Sequence, residues 1–179
     1  MPDITSKTEI PLTNSTLKAF VDPEVFQQIA QRKWYLVTNR NVNYACTCMN
    51  NTSVYMHHLL YGKGMFDHKD RNGLNNQAAN VRKTNHSLNA ANQPKRGSPC
   101  YSKYKGVSFD KRRGKWTAGL SIEGTRVGLG YYKEELDAAK AYNQGAVKYF
   151  GDHAFLNVIS EVESPSIIAL AQVKGVEIV

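Results

Sequence analysis

An Asp-His pair, Asp67 and His68, ends a short β-favouring run and is followed by a turn rich in Gly and Asn. Further along the chain, Asn85, Asn89 and Asn92 recur at a spacing that places them on one face of a helix, for which Thr84 is the expected cap. A β-ribbon and a helix in this order can bring a carboxylate, an imidazole and an amide oxygen together. The segment therefore predicts a reactive site.

The chemistry that such a trio supports is hydrolysis of a phosphodiester. Oxygen ligands from Asp67 and Asn89 suit Mg²⁺ or Mn²⁺, which keeps its other positions for water and phosphate oxygens. His68, pointing away from the metal, can take a proton from the attacking water. We expect one metal ion per active site, which stabilises charge on the phosphorus and on the leaving 3′ oxygen without a covalent intermediate.

Two other kinds of metal site are disfavoured. The run DRNG from Asp70 resembles part of an EF-hand, but that register places His68 at position one and Ala79 at position twelve, where a bidentate Glu is needed. A structural zinc site needs four ligands, and Cys46 and Cys48 have only one further cysteine in the chain. The three cysteines also cannot all pair, which favours a reducing compartment.

The run DHKDRNGLNNQAANVRKTNHSLNAAN and the histidines before it resemble the HNH nucleases of the ββα-metal class. Nucleases of this class are found in homing endonucleases of phage and introns. The stretch IPLT…FVDPEVFQQIAQRKWYLV also resembles the usual leader of these proteins. The resemblance implies that His68 is the general base and that Asp67 and Asn89 are the metal ligands. It also implies that Asn80 holds the His-bearing loop through backbone hydrogen bonds.

The run departs from the family pattern at two places. His57 and His58 stand where the family commonly has His-Arg, and residues 77–79 lack the usual basic side chains, so some phosphate contacts are lost or moved. His57 lies on a run that predicts a β-strand, and we expect it either to shape the site or to be a buried structural histidine. Arg82 is expected to contact DNA.

Positive charge is concentrated in the middle of the chain. The 179 residues include 23 Lys and Arg against 15 Asp and Glu, a net charge of +8. Thirteen basic and three acidic residues lie between Lys63 and Lys115, so this segment carries a net charge of +10 and the remainder −2. Because no amphipathic basic helix accompanies it, the basic centre indicates a nucleic acid rather than a membrane as partner.

The remaining patterns predict an α+β fold. A short helix is expected from Asp22 to about Arg32, within a small β-rich unit. Three strand candidates at 104–109, 115–122 and 125–131 predict an antiparallel meander, on which a helix from Glu134 to Gly151 packs. We expect the β-rich leader at 1–56 and the HNH motif at 57–93 to form one catalytic domain. A basic linker at 94–102 then leads to a DNA-binding unit at 103–158 and a tail at 159–179.

The C-terminal stretches YKGVSFDKRRGKWTAGL, RVGLGYY and EELDAAKAYNQGAVKYFGDHAFLN resemble the APETALA/ethylene-response-factor type DNA-binding domain over residues 104–157. The resemblance implies that the exposed face of the sheet enters the major groove. Its candidate contacts are Lys105, Lys111, Arg112, Arg113, Lys115, Trp116 and Arg126. The alternatives are a solvated hairpin tip for the two adjacent arginines and a core position for Trp116. Ser108 and Gly128 replace the usual Arg and Trp, so the plant target sequence does not carry over.

We expect a metal-dependent DNA endonuclease of the homing type, targeted to double-stranded DNA by the C-terminal sheet. The alternative is a non-catalytic, sequence-specific DNA-binding regulator with an inactive HNH unit. RNA is disfavoured because no stacking-aromatic motif is evident. No apolar run approaches the ~20 residues that span a bilayer, and the N-terminus has no basic-then-apolar signal. We therefore expect a cytoplasmic monomer or homodimer in a prokaryote, a phage or a phage-infected cell.

Overall fold

The computed structural model describes residues 7–95 and 102–159. Predictions for the first six residues, for 96–101 of the linker and for the tail from 160 lie outside the described residues. The strands are β1 (Thr8–Leu12), β2 (Ser15–Val21), β3 (Tyr35–Asn39), β4 (Val42–Met49), β5 (Thr52–Tyr55), β6 (Phe66–His68), β7 (Val81–Lys83), β8 (Val107–Asp110), β9 (Lys115–Ile122) and β10 (Thr125–Tyr132). The helices are α1 (Phe26–Ile29), α2 (Met56–Tyr61), α3 (His86–Asn92) and α4 (Glu135–Phe150), with 3-10 turns at Pro23–Val25 and Gly151–His153.

The described residues confirm the α+β class. Four small antiparallel sheets, with the strand orders β1-β2, β3-β4-β5, β6-β7 and β10-β9-β8, are combined with few helices. None of the helices in the described ranges is long and apolar enough to cross a membrane.

The N-terminal sheets enclose a small apolar core. Trp34 is 1% exposed, and its indole nitrogen donates a hydrogen bond of 3.0 Å to the carbonyl of Ile29, which satisfies the polar atom of a buried aromatic. Met56, at the start of α2, is fully buried in the same cluster. The run that predicted a β-strand at His57 thus ends at Tyr55, directly before α2 begins. His57 consequently lies on a helix rather than on a strand.

The segment after α2 forms an antiparallel strand pair followed by a helix. Strands β6 and β7 pair so that Asp67 lies opposite Arg82, and α3 follows directly. The residue that caps α3 is Asn85, not Thr84, since the Asn85 side chain accepts a hydrogen bond of 2.8 Å from the Leu88 amide. A loop at 69–80 connects the two strands.

The C-terminal unit packs α4 on one face of the β8–β9–β10 sheet. Small residues on the helix allow close contact with apolar residues of the sheet, and Tyr142 of the helix is 2% exposed. Gly106 has a φ of +73°, and a Cβ there would lie 2.0 Å from Cδ2 of Tyr142. Only glycine adopts this positive φ without strain and also leaves room for the Tyr142 ring. The strand expected at 104–109 therefore begins after this glycine, at Val107.

Helix α3 contacts the C-terminal unit as well as the β6–β7 strand pair. Leu88 and Ala91 pack against the apolar cluster of the C-terminal unit. In addition, the Phe155 amide donates a hydrogen bond of 3.0 Å to the carbonyl of Ala91. The helix that carries the predicted asparagines is thus shared between the β6–β7 strand pair and the C-terminal unit.

Candidate functional site

Asp67 and His68 are both buried in β6, with exposed fractions of 4% and 6%. The His68 Nε2 atom is buried and makes no hydrogen bond to any described residue. Buried polar atoms are nearly always hydrogen-bonded, and exceptions often mark sites of function. An imidazole nitrogen in this state retains the capacity to accept a proton.

The Asp67 carboxylate is held by two neighbouring side chains. Arg82 donates from Nε and Nη2 to Oδ2, at 3.1 and 2.8 Å. Asn92 donates from Nδ2, which lies 3.0 Å from both carboxylate oxygens and 3.0 Å from the His68 carbonyl. Because the arginine and the amide approach together, the buried carboxylate has a fixed orientation and a partner for its charge.

The helical amide that contacts Asp67 belongs to Asn92. Asn92 is 6% exposed, whereas Asn89, the predicted metal ligand, is half-buried one turn earlier on α3. The two residues are separated by three positions and so share a helix face. The predicted metal ligand and the amide that contacts the carboxylate thus lie on one helix face, and the structure shows that the contact is made by Asn92.

Asn80 fixes the loop at 69–80 by hydrogen bonds to its backbone and to one side chain. Its Oδ1 accepts from the amide of Asp70 at 3.1 Å, and its Nδ2 donates to the carbonyl of Asn75 at 2.8 Å and to the Asp70 carboxylate at 2.9 Å. The Asn80 carbonyl accepts from the Lys69 amide at 3.0 Å. This arrangement matches the role that the HNH resemblance implies for Asn80.

Residues of β2 and α2, together with Asp22, also hold the loop at 69–80 by hydrogen bonds. The Phe20 amide donates to the carbonyl of Leu74 at 2.8 Å, and the Asp22 carboxylate accepts from the amide of Ala78 at 2.6 Å. The Tyr61 hydroxyl donates to the carbonyl of Asn76 at 2.7 Å. Asp22, at the start of the helix expected from 22 to about 32, thus binds the loop and makes no side-chain cap bond. Such contacts between residues distant in the chain have no local sequence signal.

Burial keeps both central histidines neutral. Desolvation is the main cause that lowers the pKa of His68 below its ordinary value of 6.5, opposed by the Asn76 side chain and nearby carboxylates. Desolvation, with the neighbouring imidazoles, lowers the pKa of His57 to about 3. The His57 ring stacks on Tyr55 at 5.4 Å and meets the His68 ring edge-on at 5.3 Å. His57 thus contacts the ring of the predicted base.

The oxygen ligands at this site suit a divalent metal in chemical type. Arg82 occupies Oδ2 of Asp67, whereas Oδ1 accepts, among the described residues, only from the Asn92 amide. Asn92 meets the carboxylate with its amide nitrogen, so in this arrangement it orients Asp67, and Asn89 stays the predicted second ligand. No group of three or more His, Cys, Asp or Glu side chains within 7–95 and 102–159 could hold a metal. A site with one carboxylate and one amide does not require such a group, because Mg²⁺ retains water and phosphate ligands.

Two side chains that were predicted to contact DNA, those of Arg82 and Lys105, have partners within the protein. The Arg82 side chain is only 11% exposed and is occupied by Asp67. Lys105 donates from Nζ to the carbonyls of Ala90, Ala91 and Gln93, at 3.0, 2.6 and 2.5 Å, and so caps the end of α3. Both side chains therefore act at the junction of the two units. Their assignment as DNA contacts stays a prediction.

Trp116 lies on the helix-facing side of the sheet. It is paired with Phe109 across β8 and β9, at 5.1 Å between ring centroids, and packs against the C-terminal apolar cluster. Successive residues of a strand alternate between faces, so Trp116 shares its face with Ala118, which is 1% exposed. The alternative of a partly buried core aromatic fits this position.

The other predicted contacts lie on the exposed side of the sheet or at its tip. Arg126 is paired with Ser121, and Lys115 with Asp110, which places both cations on the face opposite α4. Exposed basic residues of the β8–β9 turn extend this surface; they are Lys111, Arg112 and Arg113. Arg113 donates to Asp110 at 3.0 Å and lies 4.7 Å from the ring of Tyr131. Together these residues form a basic surface, hereafter the sheet surface.

Comparison with known proteins adds one finding. No family model matches the chain. The chain is similar to the AP2-like ethylene-responsive transcription factor TOE2 of Arabidopsis thaliana, with 38% identity over 58 residues. The match covers 32% of this chain and 12% of the plant protein, so the chain spans only a small part of that relative. These comparisons support an AP2-like domain in this chain, whereas the HNH resemblance stays a prediction.

Proposed function

We propose that the protein is a metal-dependent DNA endonuclease, in which the β6–β7–α3 segment hydrolyses a phosphodiester and the sheet surface binds double-stranded DNA. The observation that supports this most is the buried His68 next to Asp67 and Asn92. Its Nε2 makes no hydrogen bond of ordinary geometry within the described residues, although the Asn76 side chain interacts with the ring. Buried polar atoms without a hydrogen bond are uncommon in folded proteins and call for an explanation.

In this proposal His68 is the general base. Its lowered pKa keeps the imidazole unprotonated at neutral pH, as a base that accepts a proton from water requires. Asn80 holds the loop after His68, and His57 contacts the His68 ring, so both restrict where the imidazole points. The candidate base is therefore preorganised by residues that do not react.

Asp67, with an amide of α3, would hold one Mg²⁺ or Mn²⁺ ion. When bound, such an ion neutralises charge that develops on the phosphate and the leaving oxygen. The contribution of the chain is to orient the Asp67 carboxylate through Arg82 and to keep the site largely closed to solvent.

The sheet surface supplies binding to DNA in this proposal. Arg112, Lys115 and Arg126 are exposed cations on one side or at the tip of the sheet, where they can reach phosphates or base edges. The plant relative is named as a transcription factor, and the shared AP2-like segment supports a DNA-contacting role for this unit.

A nicking assay tests the proposal with the full chain. Supercoiled plasmid is incubated with the protein and Mg²⁺, and a parallel sample contains EDTA. We expect relaxed or linear DNA with Mg²⁺ and intact plasmid with EDTA. DNA binding without cleavage, over a range of Mg²⁺ and Mn²⁺ concentrations, would instead identify a regulator with an inactive HNH unit.

A further inference from the structure

Arg82 joins the candidate active site to the C-terminal unit. Besides its two hydrogen bonds to Asp67, its Nη1 donates to the carbonyl of Asp152 at 2.8 Å. Asp152 lies in the 3-10 turn that directly follows α4. A single, largely buried guanidinium thus contacts the predicted metal ligand on one side and the end of the C-terminal helix on the other.

The geometry of the guanidinium makes this connection stiff. Its nitrogens lie in one plane at fixed angles, so a group bound at Nη1 constrains the direction in which Nε and Nη2 point. The position of the Asp152 carbonyl therefore limits the orientations of the Asp67 carboxylate. A lysine could keep the charge but could not hold the three bonds in this fixed geometry.

A second connection acts on α3. The last carbonyls of a helix lack partners within the helix and carry the negative end of its dipole. In α3 these carbonyls accept from the ammonium of Lys105 and, at Ala91, from the amide of Phe155. The C-terminal unit thus completes the helix that carries Asn92. Asp67 and Asn92, which are hydrogen-bonded to each other, are thus both held from that unit.

We propose that the C-terminal unit is a structural part of the active site, with Arg82 as the positioning residue that orients Asp67 for a divalent metal. The metal-binding part rests on the proposed function, whereas the connection between the units does not. If the linker at 94–102 were only a tether, a fragment of residues 1–93 would remain active. That fragment lacks Lys105, Asp152 and Phe155. We therefore expect that fragment to bind metal poorly.

The test compares three variants of the full chain. Arg82→Gln removes both connections of the guanidinium, Arg82→Lys keeps the charge, and Lys83→Gln removes a charge from the exposed neighbouring position of β7 as the matched control. Binding of Mn²⁺ is measured by electron paramagnetic resonance, and backbone opening by hydrogen exchange. Cleavage kinetics give kcat and KM for plasmid DNA.

We expect Arg82→Gln to weaken Mn²⁺ binding about 10-fold or more, in the range for residues that orient a metal ligand. Exchange should become faster both in β6 and in residues 151–155, and kcat should fall with little change in KM. Arg82→Lys should recover part of the Mn²⁺ affinity, and Lys83→Gln should leave it unchanged.

The outcomes separate the two proposals. Unchanged Mn²⁺ binding in Arg82→Gln would overturn the positioning role, since Arg82 would then have no effect on the metal. Tighter Mn²⁺ binding would also overturn it, since Arg82 would then compete with the metal for Asp67. Faster exchange confined to β6 and β7 would overturn the connection between the units. If the wild-type chain neither binds Mn²⁺ nor cuts DNA, the proposed nuclease and the positioning role both fail, and the exchange data still decide whether the units are connected. Should Arg82→Gln not fold, Arg82→Lys decides by the same measurements.

Discussion

The loop at 69–80 is held mainly by polar side chains, whereas the C-terminal unit is held mainly by apolar packing. Asp70, Asn80 and Asp22 fix the loop through hydrogen bonds to its backbone. In the C-terminal unit, α4 packs small residues and Tyr142 against Val107 and neighbouring residues of the sheet. Polar networks fix geometry but contribute little net stability per bond, while apolar burial contributes stability without direction.

The difference agrees with what each region is proposed to do. A general base must be held in one orientation, and the hydrogen bonds of Asn80 that fix the loop after His68 contribute to this. A DNA-contacting surface needs a stable platform, and burial of apolar area behind the sheet provides it. Because Arg82 and α3 connect the two regions, the stability of the second also supports the geometry of the first.

The largest expected effect separates cutting from binding. His68→Ala should reduce DNA cleavage about 10²–10⁴-fold, because the general base is lost, and should leave DNA affinity unchanged. His86→Ala, which removes an exposed imidazole from the start of α3, is the matched control and should retain most activity. Plasmid nicking and a gel-shift titration measure the two properties. Cleavage by His68→Ala at the wild-type rate would rule out His68 as the base.

A stability measurement tests the contrast between the two kinds of packing. Tyr142→Ala should lower the free energy of unfolding by about 3–5 kcal/mol, because it leaves a large cavity behind the sheet. Asn80→Ala should lower it by about 1–3 kcal/mol, the cost of leaving buried polar partners unpaired. Tyr149→Ala, at a position that is 43% exposed on the same helix, is the control and should change it by less than about 0.5 kcal/mol. Urea unfolding followed by circular dichroism measures all three, and a larger loss from Asn80→Ala than from Tyr142→Ala would reverse the comparison.

The choice between the two helical amides is tested by metal titration. Asn92 contacts Asp67 directly, so Asn92→Ala should raise the Mg²⁺ concentration needed for half-maximal cleavage about 10- to 100-fold. Asn89→Ala should raise it less if Asn92 is the nearer partner of the metal. A larger shift from Asn89→Ala would restore the assignment that the HNH resemblance implies. The variants differ by one turn of α3 and serve as controls for each other.

Acid should destabilise the polar site before the apolar unit. The folded chain keeps His57 neutral down to a pKa of about 3, whereas the unfolded chain takes up a proton near pH 6.5. Between these values the unfolded state binds more protons, so stability decreases as the pH falls, by about 1.4 kcal/mol per pH unit for one histidine. The lowered pKa of His68 acts in the same direction.

His57→Gln should therefore flatten the dependence of stability on pH between about pH 3 and 6.5. His86→Gln, at an exposed position, should leave the slope unchanged. Urea unfolding at several pH values gives the slope for each variant, and the slope rather than the absolute stability is the quantity compared. Equal slopes for wild type and His57→Gln would show that His57 takes up its proton in the folded protein.

The sequence predicted local features well. Strands β9 and β10 follow from alternating residues around Gly124, and α4 follows from its acidic start and the stop at Gly151. The Asp-His strand and the downstream helix also followed from spacing. These features depend on neighbours in the chain, so the pattern of residue types contains them.

The sequence could not predict which distant partner each polar side chain takes. Arg82 and Lys105 are basic residues within a basic segment, which favoured DNA contacts, yet each is used inside the protein. Asn89 and Asn92 share a helix face, so spacing alone could not distinguish them. Asp22 has the sequence context of a cap but binds the amide of Ala78 across the fold. In each case tertiary contacts, rather than local preference, decided the outcome.

The smallest expected effect concerns the sheet surface and is read from salt dependence. Arg112 and Arg113 lie at the exposed β8–β9 turn, but Arg113 is already paired with Asp110, and that hydrogen bond holds the pKa of the Asp110 carboxyl below its usual range. Arg112→Ala should therefore lower the slope of log affinity against log salt by roughly 0.9, the value for one phosphate contact. Arg113→Ala should lower it less, because part of its charge is neutralised by Asp110 in the wild-type protein.

Lys140→Ala removes the same charge from the exposed side of α4 and should leave the slope unchanged. Filter binding at several salt concentrations gives the slopes. If Lys140→Ala changed the slope as much as Arg112→Ala, the helix side would contact DNA, and the division between a cutting loop and a binding sheet would need to be redrawn.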